Sequence, residues 1–358
     1  MTAPNWLKIE RRPVASGRTV FIISVLAILA ALLVAAIFFA AYGVSPIYAY
    51  YLILRGALGN MHGFSETIRR MIPLLLCGVG LTVAFRALFW NIGAEGQILM
   101  GAIAASGVAL FSGLPGPLLL IAMFIAGFLA GAAWGLIPAA LKAKLGLNDV
   151  ITTLMLNYVA MYVVLWLVHG PWKGASMRGY AYTDMFPNAA QLPMIGSTSI
   201  HWPTLMLGFI AAVVMYIVVN RTRSGFEIRV VGENPEAARF AGISQFKTTM
   251  LVMFISGGLA GFAGVGEVAG IYHRLLDPSQ ISMGYGFTAI IVAWLARKNP
   301  LAVIVTSFFF GILMAGGDVI KIQLRLPFQL INVFNGLIMF FLIGSELLMR
   351  YKISIRRR

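Results

Sequence analysis

The chain has 358 residues, of which 60% are hydrophobic and 11% charged, with 27 Lys and Arg against 12 Asp and Glu for a net charge of +15. A water-soluble protein of this length has no core large enough for that much apolar surface; a bilayer accommodates it, and the spanning runs must then be helices that satisfy their own backbone. The fold class expected is all-α, a polytopic integral membrane helical bundle, and the single cysteine, Cys77, excludes an internal disulfide.

In chain order, residues 1–19 form a basic segment ahead of the first apolar run, 20–42. That run is too long for a signal-peptide core and lacks a small-x-small exit, so it reads as a retained span. Hydropathy predicts about ten transmembrane helices in all, at residues 20–42, 71–85, 94–112, 118–140, 150–168, 203–220, 249–271, 284–296, 300–316 and 328–349. Residues 71–85 and 284–296 are short for a crossing and read as tilted, broken or re-entrant. Each leads into another span, one through Arg86 and "FWNIG", the other through "RKNP", a weak internal echo of the paired interrupted helices of transporters. A basic tail, 350–358, closes the chain.

With the N-terminus inside, nineteen of the 27 Lys and Arg fall on inner segments and eight on outer ones, Arg55, Arg69 and Arg70 among the eight. This predicts N-in/C-in topology and an even number of spans. It also accounts for the positive charge as topology and contact with membrane lipids, with no nucleic acid required. The longest inner loop is then 221–248. The longest outer loop is 169–202, rich in Gly, Pro and aromatics, which reads as a cap on the outer face, a partner surface or a structured connector.

Several chemistries lack their motif. The nearest glycine spacing to a nucleotide loop, Gly261 to Gly266, is followed by Glu267 rather than Lys-Ser/Thr, and the run lies within a span. His62, His169, His201 and His273 are far apart and show no zinc spacing. No cofactor is expected, and the chain reads neither as an enzyme nor as its own energy source. Gly257 and Gly261, Ala260 and Gly264, and Gly266 and Gly270 are each four apart, which suits a close helix-packing face.

Polar groups in spans carry more. Asn91, Glu95 and Gln97 open one span, Asn157 sits mid-span after Thr152 and Thr153, and Glu267 lies near the outer end of another. Such groups line a translocation pathway or bond helices together. In the inner loop, "GENPEAARFAG" has the form of a short capped helix. Asn234 suits the N-cap, Pro235 the first helical position, Glu236 the positive end of the dipole, and Gly242 a left-handed stop after Arg239.

"NIGAEGQILMGA" (91–102), "DVITTLMLNYVA" (149–160), "VGENPEAARFAGI" (231–243), "SGGLAGFAGVGEVAG" (256–270) and the run 284–317 together resemble the membrane subunits of bacterial ABC importers for nucleosides and simple sugars, within the ribose and branched-chain amino-acid permease superfamily. The resemblance covers about residues 65 to 345. "ARKNP" (296–300) departs from it, because a small residue or Gly is expected before Asn-Pro. It implies a multi-pass permease of the bacterial plasma (inner) membrane that works with an ABC ATP-binding subunit, a second homologous permease subunit and a periplasmic or lipid-anchored substrate-binding protein. It places the family's coupling helix at Gly232, Glu233, Asn234, Pro235, Glu236, Ala237, Ala238, Arg239 and Gly242, with Ala237 and Ala238 allowing close approach of the ATPase. The "NIGAEGQ" run favours the nucleoside branch, with simple sugars as the alternative. An ion-coupled secondary transporter is a further alternative, for which only Glu95 and Glu267 offer coupling carboxylates; a membrane-embedded enzyme or structural subunit is the last.

Overall fold

The computed structural model describes residues 7–11, 17–175, 179–324, 333, 336–337, 340–341, 344–345 and 351–355. Two compact units divide the chain: Met1–Asn60 with Ile312–Arg358, and Met61–Gly311.

In the first unit, strand β1 (Leu7–Arg11) pairs antiparallel with β2 (Tyr351–Ile355), Leu7 opposite Ile355 and Arg11 opposite Tyr351. The fold is otherwise all-α, and this short ribbon lays residues 7–11 beside residues 351–355. Helix α1 (Gly17–Ala41) is followed by α2 (Pro46–Leu58), and the two meet at 111°. The sequence reading did not expect α2. Pro46 opens it at a position where a missing N–H costs nothing, and Gly43, at φ +75°, supplies the turn before it.

The second unit contains α3 (Met61–Arg86), α4 (Ala94–Phe111), α5 (Gly116–Leu145), α6 (Asp149–His169), α7 (Trp202–Arg221), α8 (Arg223–Glu233), α9 (Pro235–Phe240), α10 (Gln245–Gly266), α11 (Pro278–Ser282) and α12 (Tyr285–Leu295). Helix α13 (Ala302–Gln323) begins in this unit. Residues Glu267–Tyr272 continue α10 as a π-helical turn. Among the described residues, seven helices are long and apolar enough to cross a membrane, or eight if the bent α1–α2 pair is one span. The expected ten is not reached, and most of the last expected span, 328–349, lies outside the described residues.

Two of the short spans are resolved differently. Residues 71–85 belong to a 26-residue helix that starts at Met61. Arg69 and Arg70 are buried inside it, so they do not flank a span as their charge suggested. Helix α12 is indeed short: 11 residues rise about 16 Å at 1.5 Å per residue, roughly half of a hydrocarbon core of about 30 Å.

The centre of the second unit is α10 laid against α4 and α5. A Cβ on Gly261 would stand 2.1 Å from the Gly127 carbonyl, and one on Gly264 2.0 Å from that of Ile98. Backbone meets backbone there, the packing that four-residue glycine spacing permits in lipid. The 169–202 segment packs on the residues that follow α10. It carries a one-turn 3-10 helix, Asn188–Ala190, and its amides of Thr183, Phe186 and Leu192 donate to the carbonyls of Leu275, His273 and Ala269.

Candidate functional site

The link between α3 and α4 is built from side chains that replace absent backbone partners. Helix α3 ends with Leu88 in the left-handed region, φ 53°, and Phe89 N–H returns to the Ala84 carbonyl at 3.1 Å. The chain then runs without regular structure to Ala94. Side chains meet three of its amides and one in the first turn of α4: Trp90 N–H donates to Asp149 Oδ2 (2.7 Å), Ile92 N–H to Thr153 Oγ1 (3.2 Å), Gly93 N–H to Asn91 Oδ1 (3.0 Å) and Gly96 N–H to Asn157 Oδ1 (2.9 Å). Asn157 Nδ2 gives a hydrogen bond back to the Ile92 carbonyl at 2.8 Å. Asn91 Nδ2 donates to Gln97 Oε1 and to Ser256 Oγ, both at 3.0 Å. Lys142 pairs with Asp149 at 2.7 Å and lies over the Phe89 ring.

Asn91, Gln97 and Asn157 thus lie together, all buried. Their hydrogen-bonding groups are spent on bracing the entry to α4. Thr153, Asp149, Lys142 and Ser256 belong to the same brace and were not singled out. "DVITT" offered the signal for two of them, because Asp149 and Thr153, four apart, share one helix face.

Glu95 does a different task. Its Oε1 accepts from Gly284 N–H (3.0 Å) and its Oε2 from Gly286 N–H (2.7 Å). The carboxylate therefore caps α12 from a helix 189 residues earlier, meeting donors that a helix N-terminus leaves free. A Cβ on Gly286 would stand 2.2 Å from the Glu95 amide nitrogen, so α12 begins directly on the backbone of α4.

The inner-loop candidate is a helix with both caps formed. Asn234 Oδ1 accepts from Glu236 N–H (3.0 Å) and Ala237 N–H (3.1 Å), and Pro235 holds the first position. At the other end Ile243 N–H reaches the Ala238 carbonyl (2.9 Å) and Gly242 N–H that of Arg239 (3.1 Å), with Gly242 at φ +73°. This is a Schellman exit. Two of the residues assigned here face otherwise. Ala238 is fully buried against its own chain, so it is Ala237, with Glu236 and Arg239, that faces outward. Gly232 lies in the last turn of α8, where a Cβ would meet the Arg86 carbonyl at 1.8 Å; it seats α8 on the end of α3. Phe240, which the sequence reading passed over, is 92% exposed at the end of α9.

Glu267 lies apart from the contacts that link Asn91, Gln97 and Asn157 and from those of Glu95. It is fully buried at the first residue of the π turn, with the Arg69 guanidinium 3.9 Å away. Around it are Glu66, Arg70, His201, Tyr272 and Tyr285, drawn from α3, the start of α7, the π turn and the start of α12. Arg69 is also bonded to Glu66 at 2.9 Å, and Glu66 Oε1 accepts from Ser199 Oγ at 2.8 Å.

A protein-family profile described as "Branched-chain amino acid transport system / permease component" matches residues 63–343. The chain belongs to this permease family. A glucose ABC transporter permease protein of Haloferax volcanii is 36% identical to it, over 92% of this chain and 89% of the relative. A nucleoside ABC transporter permease protein of Lactococcus lactis is 31% identical over 90% of each chain. A guanosine ABC transporter permease protein of Bacillus subtilis is 30% identical over 90% of this chain and 93% of the relative. The permease is accordingly a multi-pass transport component and not an enzyme.

Proposed function

We propose that this permease forms part of the translocation pathway of an ATP-driven importer for a small neutral polar solute, a nucleoside first and a simple sugar second. The observation that carries the reading is α9. A six-residue helix is marginal in water, yet this one has a side-chain cap at one end and a Schellman exit at the other, and it presents Phe240 and Arg239 to solvent. A permease without an ATP site has to receive motion from a separate subunit, and a rigid knob on a loop between two spans transmits it where a floppy loop does not. Two of the named relatives carry nucleosides or guanosine in their names, which favours the nucleoside reading; the 36% identity to a glucose permease keeps the sugar reading beside it.

On this reading an ABC ATP-binding subunit docks on α9, a second permease completes the pathway, a binding protein delivers solute at the opposite face, and the assembly sits in the plasma (inner) membrane. The termini and the 221–248 loop are cytoplasmic, which agrees with the nineteen-to-eight charge split and with the pairing of β1 and β2. Because Phe240 and Arg239 are exposed, Phe240→Ser with Arg239→Glu leaves the membrane fold intact. The double variant is expected to lose co-purification with the ATP-binding subunit, or to leave ATP hydrolysis running without uptake. Parental uptake by that variant would overturn the assignment.

A further inference from the structure

The polar groups around Glu267 carry an uneven set of unmet hydrogen bonds. Among the described residues, both Glu267 carboxylate oxygens, His201 Nε2 and Arg69 Nε are buried without a hydrogen-bond partner. Two neighbouring groups, Tyr272 and Glu66, are already committed. Tyr272 donates its hydroxyl to the Gln280 carbonyl at 2.7 Å, and Glu66 is satisfied by Arg69 and Ser199. The state of His201 follows from its neighbour. Thr204 donates its hydroxyl hydrogen to the His201 carbonyl at 3.1 Å, so Thr204 Oγ1 accepts from Nδ1–H and Nε2 is left as an acceptor. Glu267 and His201 thus offer three acceptors, and Arg69 offers one donor.

A buried polar group left unpaired is costly, and natural structures keep few of them without a use. Three further features mark the place. Glu267 opens a π turn, an irregularity that recurs at functional sites. His273 and Met283, which bracket the segment between the π turn and α12, both hold left-handed backbone at φ 52° and 43° without being glycine. Gly270 lets the π turn approach His201, whose Cδ2 would be 2.8 Å from a Cβ there.

Charge and donor count together narrow the ligand. Two arginines, Arg69 and Arg70, face two carboxylates, Glu66 and Glu267, so the cluster has no net charge to offer an ion. Three acceptors beside one donor suit a molecule rich in hydroxyls, each of which donates and can also accept. A carboxylate sets two acceptors side by side, the spacing that two adjacent hydroxyls meet. A ring with vicinal hydroxyls is also what a nucleoside and a hexose have in common. We propose that Glu267, Arg69 and His201 form a recognition site for the vicinal diol of a neutral sugar ring. Glu267 accepts both hydroxyl hydrogens, Arg69 Nε–H donates to one hydroxyl oxygen, and His201 Nε2 accepts from a further donor on the ring. Glu267 and His201 are fully buried and Arg69 nearly so, so access to the site requires α3 and the π turn to part during transport. The inference rests on the importer reading above.

The test uses the complete importer in proteoliposomes, with its ATP-binding subunit, partner permease and binding protein. Uptake of uridine is compared with that of 2′,3′-dideoxyuridine, and uptake of glucose with that of 2,3-dideoxyglucose. Each rate for Glu267→Gln is divided by the parental rate for the same solute, which cancels selection by the binding protein. The expected result is a fall of about tenfold for the diol-bearing solute, the worth of one buried hydrogen bond, and of less than about twofold for its dideoxy analogue, with ATP hydrolysis still stimulated by loaded binding protein. Glu267→Asp, which keeps the charge and withdraws the carboxylate by one methylene, serves the same comparison if the amide variant does not assemble. Equal falls for both members of a pair, or no fall in either, overturn the diol site and leave the importer reading standing. Failure of the parental importer to take up either uridine or glucose overturns the importer reading and the diol site with it.

Discussion

Arg86 donates its Nε–H to the carbonyl of Lys298 at 2.8 Å, fastening the last turn of α3 to the exit of α12. That exit is strained: Arg297 and Lys298 both lie in the left-handed region, φ 53° and 57°, and Lys298 N–H closes on the Ala293 carbonyl at 3.0 Å. The turn before Asn299-Pro300 therefore keeps the conformation a glycine adopts without having one, and Arg86 is among the contacts that hold it there. Arg86 Nη1 also reaches Asn220 Oδ1 at 3.3 Å, and α8 abuts the Arg86 carbonyl through Gly232. Phe85, Trp90 and Trp294 stack over the same ends, with ring centroids 5.3 to 6.1 Å apart. Ends of α3, α7, α8 and α12 thus meet around one arginine.

Gly232→Ala should be costly at this junction. The added methyl has no room beside the Arg86 carbonyl, and overpacking of this kind costs about 1–3 kcal/mol. A lowered melting temperature in detergent and reduced uptake are expected, with ATPase binding retained because α9 is untouched. An unchanged melting curve would mean that α8 shifts freely on α3.

Glu95→Ala should destabilise more than Glu95→Gln. The alanine orphans the amides of Gly284 and Gly286, at about 1–3 kcal/mol for each buried donor, whereas the glutamine keeps one acceptor. Thermal unfolding of the purified permease separates the two. Parental stability in the alanine variant would show that the start of α12 finds another acceptor.

Asn157→Leu preserves bulk and removes both the acceptor for Gly96 N–H and the donor to the Ile92 carbonyl. Faster hydrogen exchange in residues 90–97 and a loss of about 2–6 kcal/mol are expected, from two backbone groups left unmet. Exchange at the parental rate would remove Asn157 from the brace.

Cysteines placed at Thr2 and Arg358 should react only with membrane-permeant reagents, as N-in/C-in topology requires. Cys77 is buried, so the parental background is silent. Labelling of either engineered position from outside intact cells would reverse the orientation.

His201, just outside α7, gives the pH prediction. Burial first, and then the positive charge of Arg69, push its imidazole down from 6.5 to about 3. The unfolded chain binds a proton below about pH 6.5 that the folded chain refuses. Stability is therefore fully present above that pH and falls by about 1.4 kcal/mol for each unit below it, down towards pH 3. His201→Asn should flatten that part of the melting-temperature profile between pH 6.5 and 4.5. The same slope in the variant would assign the acid sensitivity to another group.

What was legible depended on range. The caps of α9 are local: Asn234, Pro235 and Gly242 act on neighbours within three residues, so composition and spacing reveal them. The glycine packing of α10 was readable because small residues four apart leave few other uses in a span. Arg69 and Arg70 were misplaced because hydropathy treats a charge as the end of a helix, while their partner Glu267 lies almost two hundred residues on and no local pattern announces it. The role of Glu95 was hidden for the same reason, since its acceptors are spent on Gly284 and Gly286. Ala238 misled in the other direction: every residue of a six-residue surface helix looks available until one face is seen to be buried.

Helix α12 has a consequence for how the protein is made. At 11 residues it is too short for a translocon to release sideways into lipid as a span, and the Gly284 and Gly286 amides at its start are met by a carboxylate on α4. By the time α12 leaves the ribosome, α4 has long been synthesised. The later segment is thus admitted by a docking place already standing, and its entry is a step of assembly rather than of partitioning. Biogenesis of this chain then runs in one direction only: a permutant that begins synthesis at α12 would present an unmet helix start to bare lipid, and should be degraded before α4 appears.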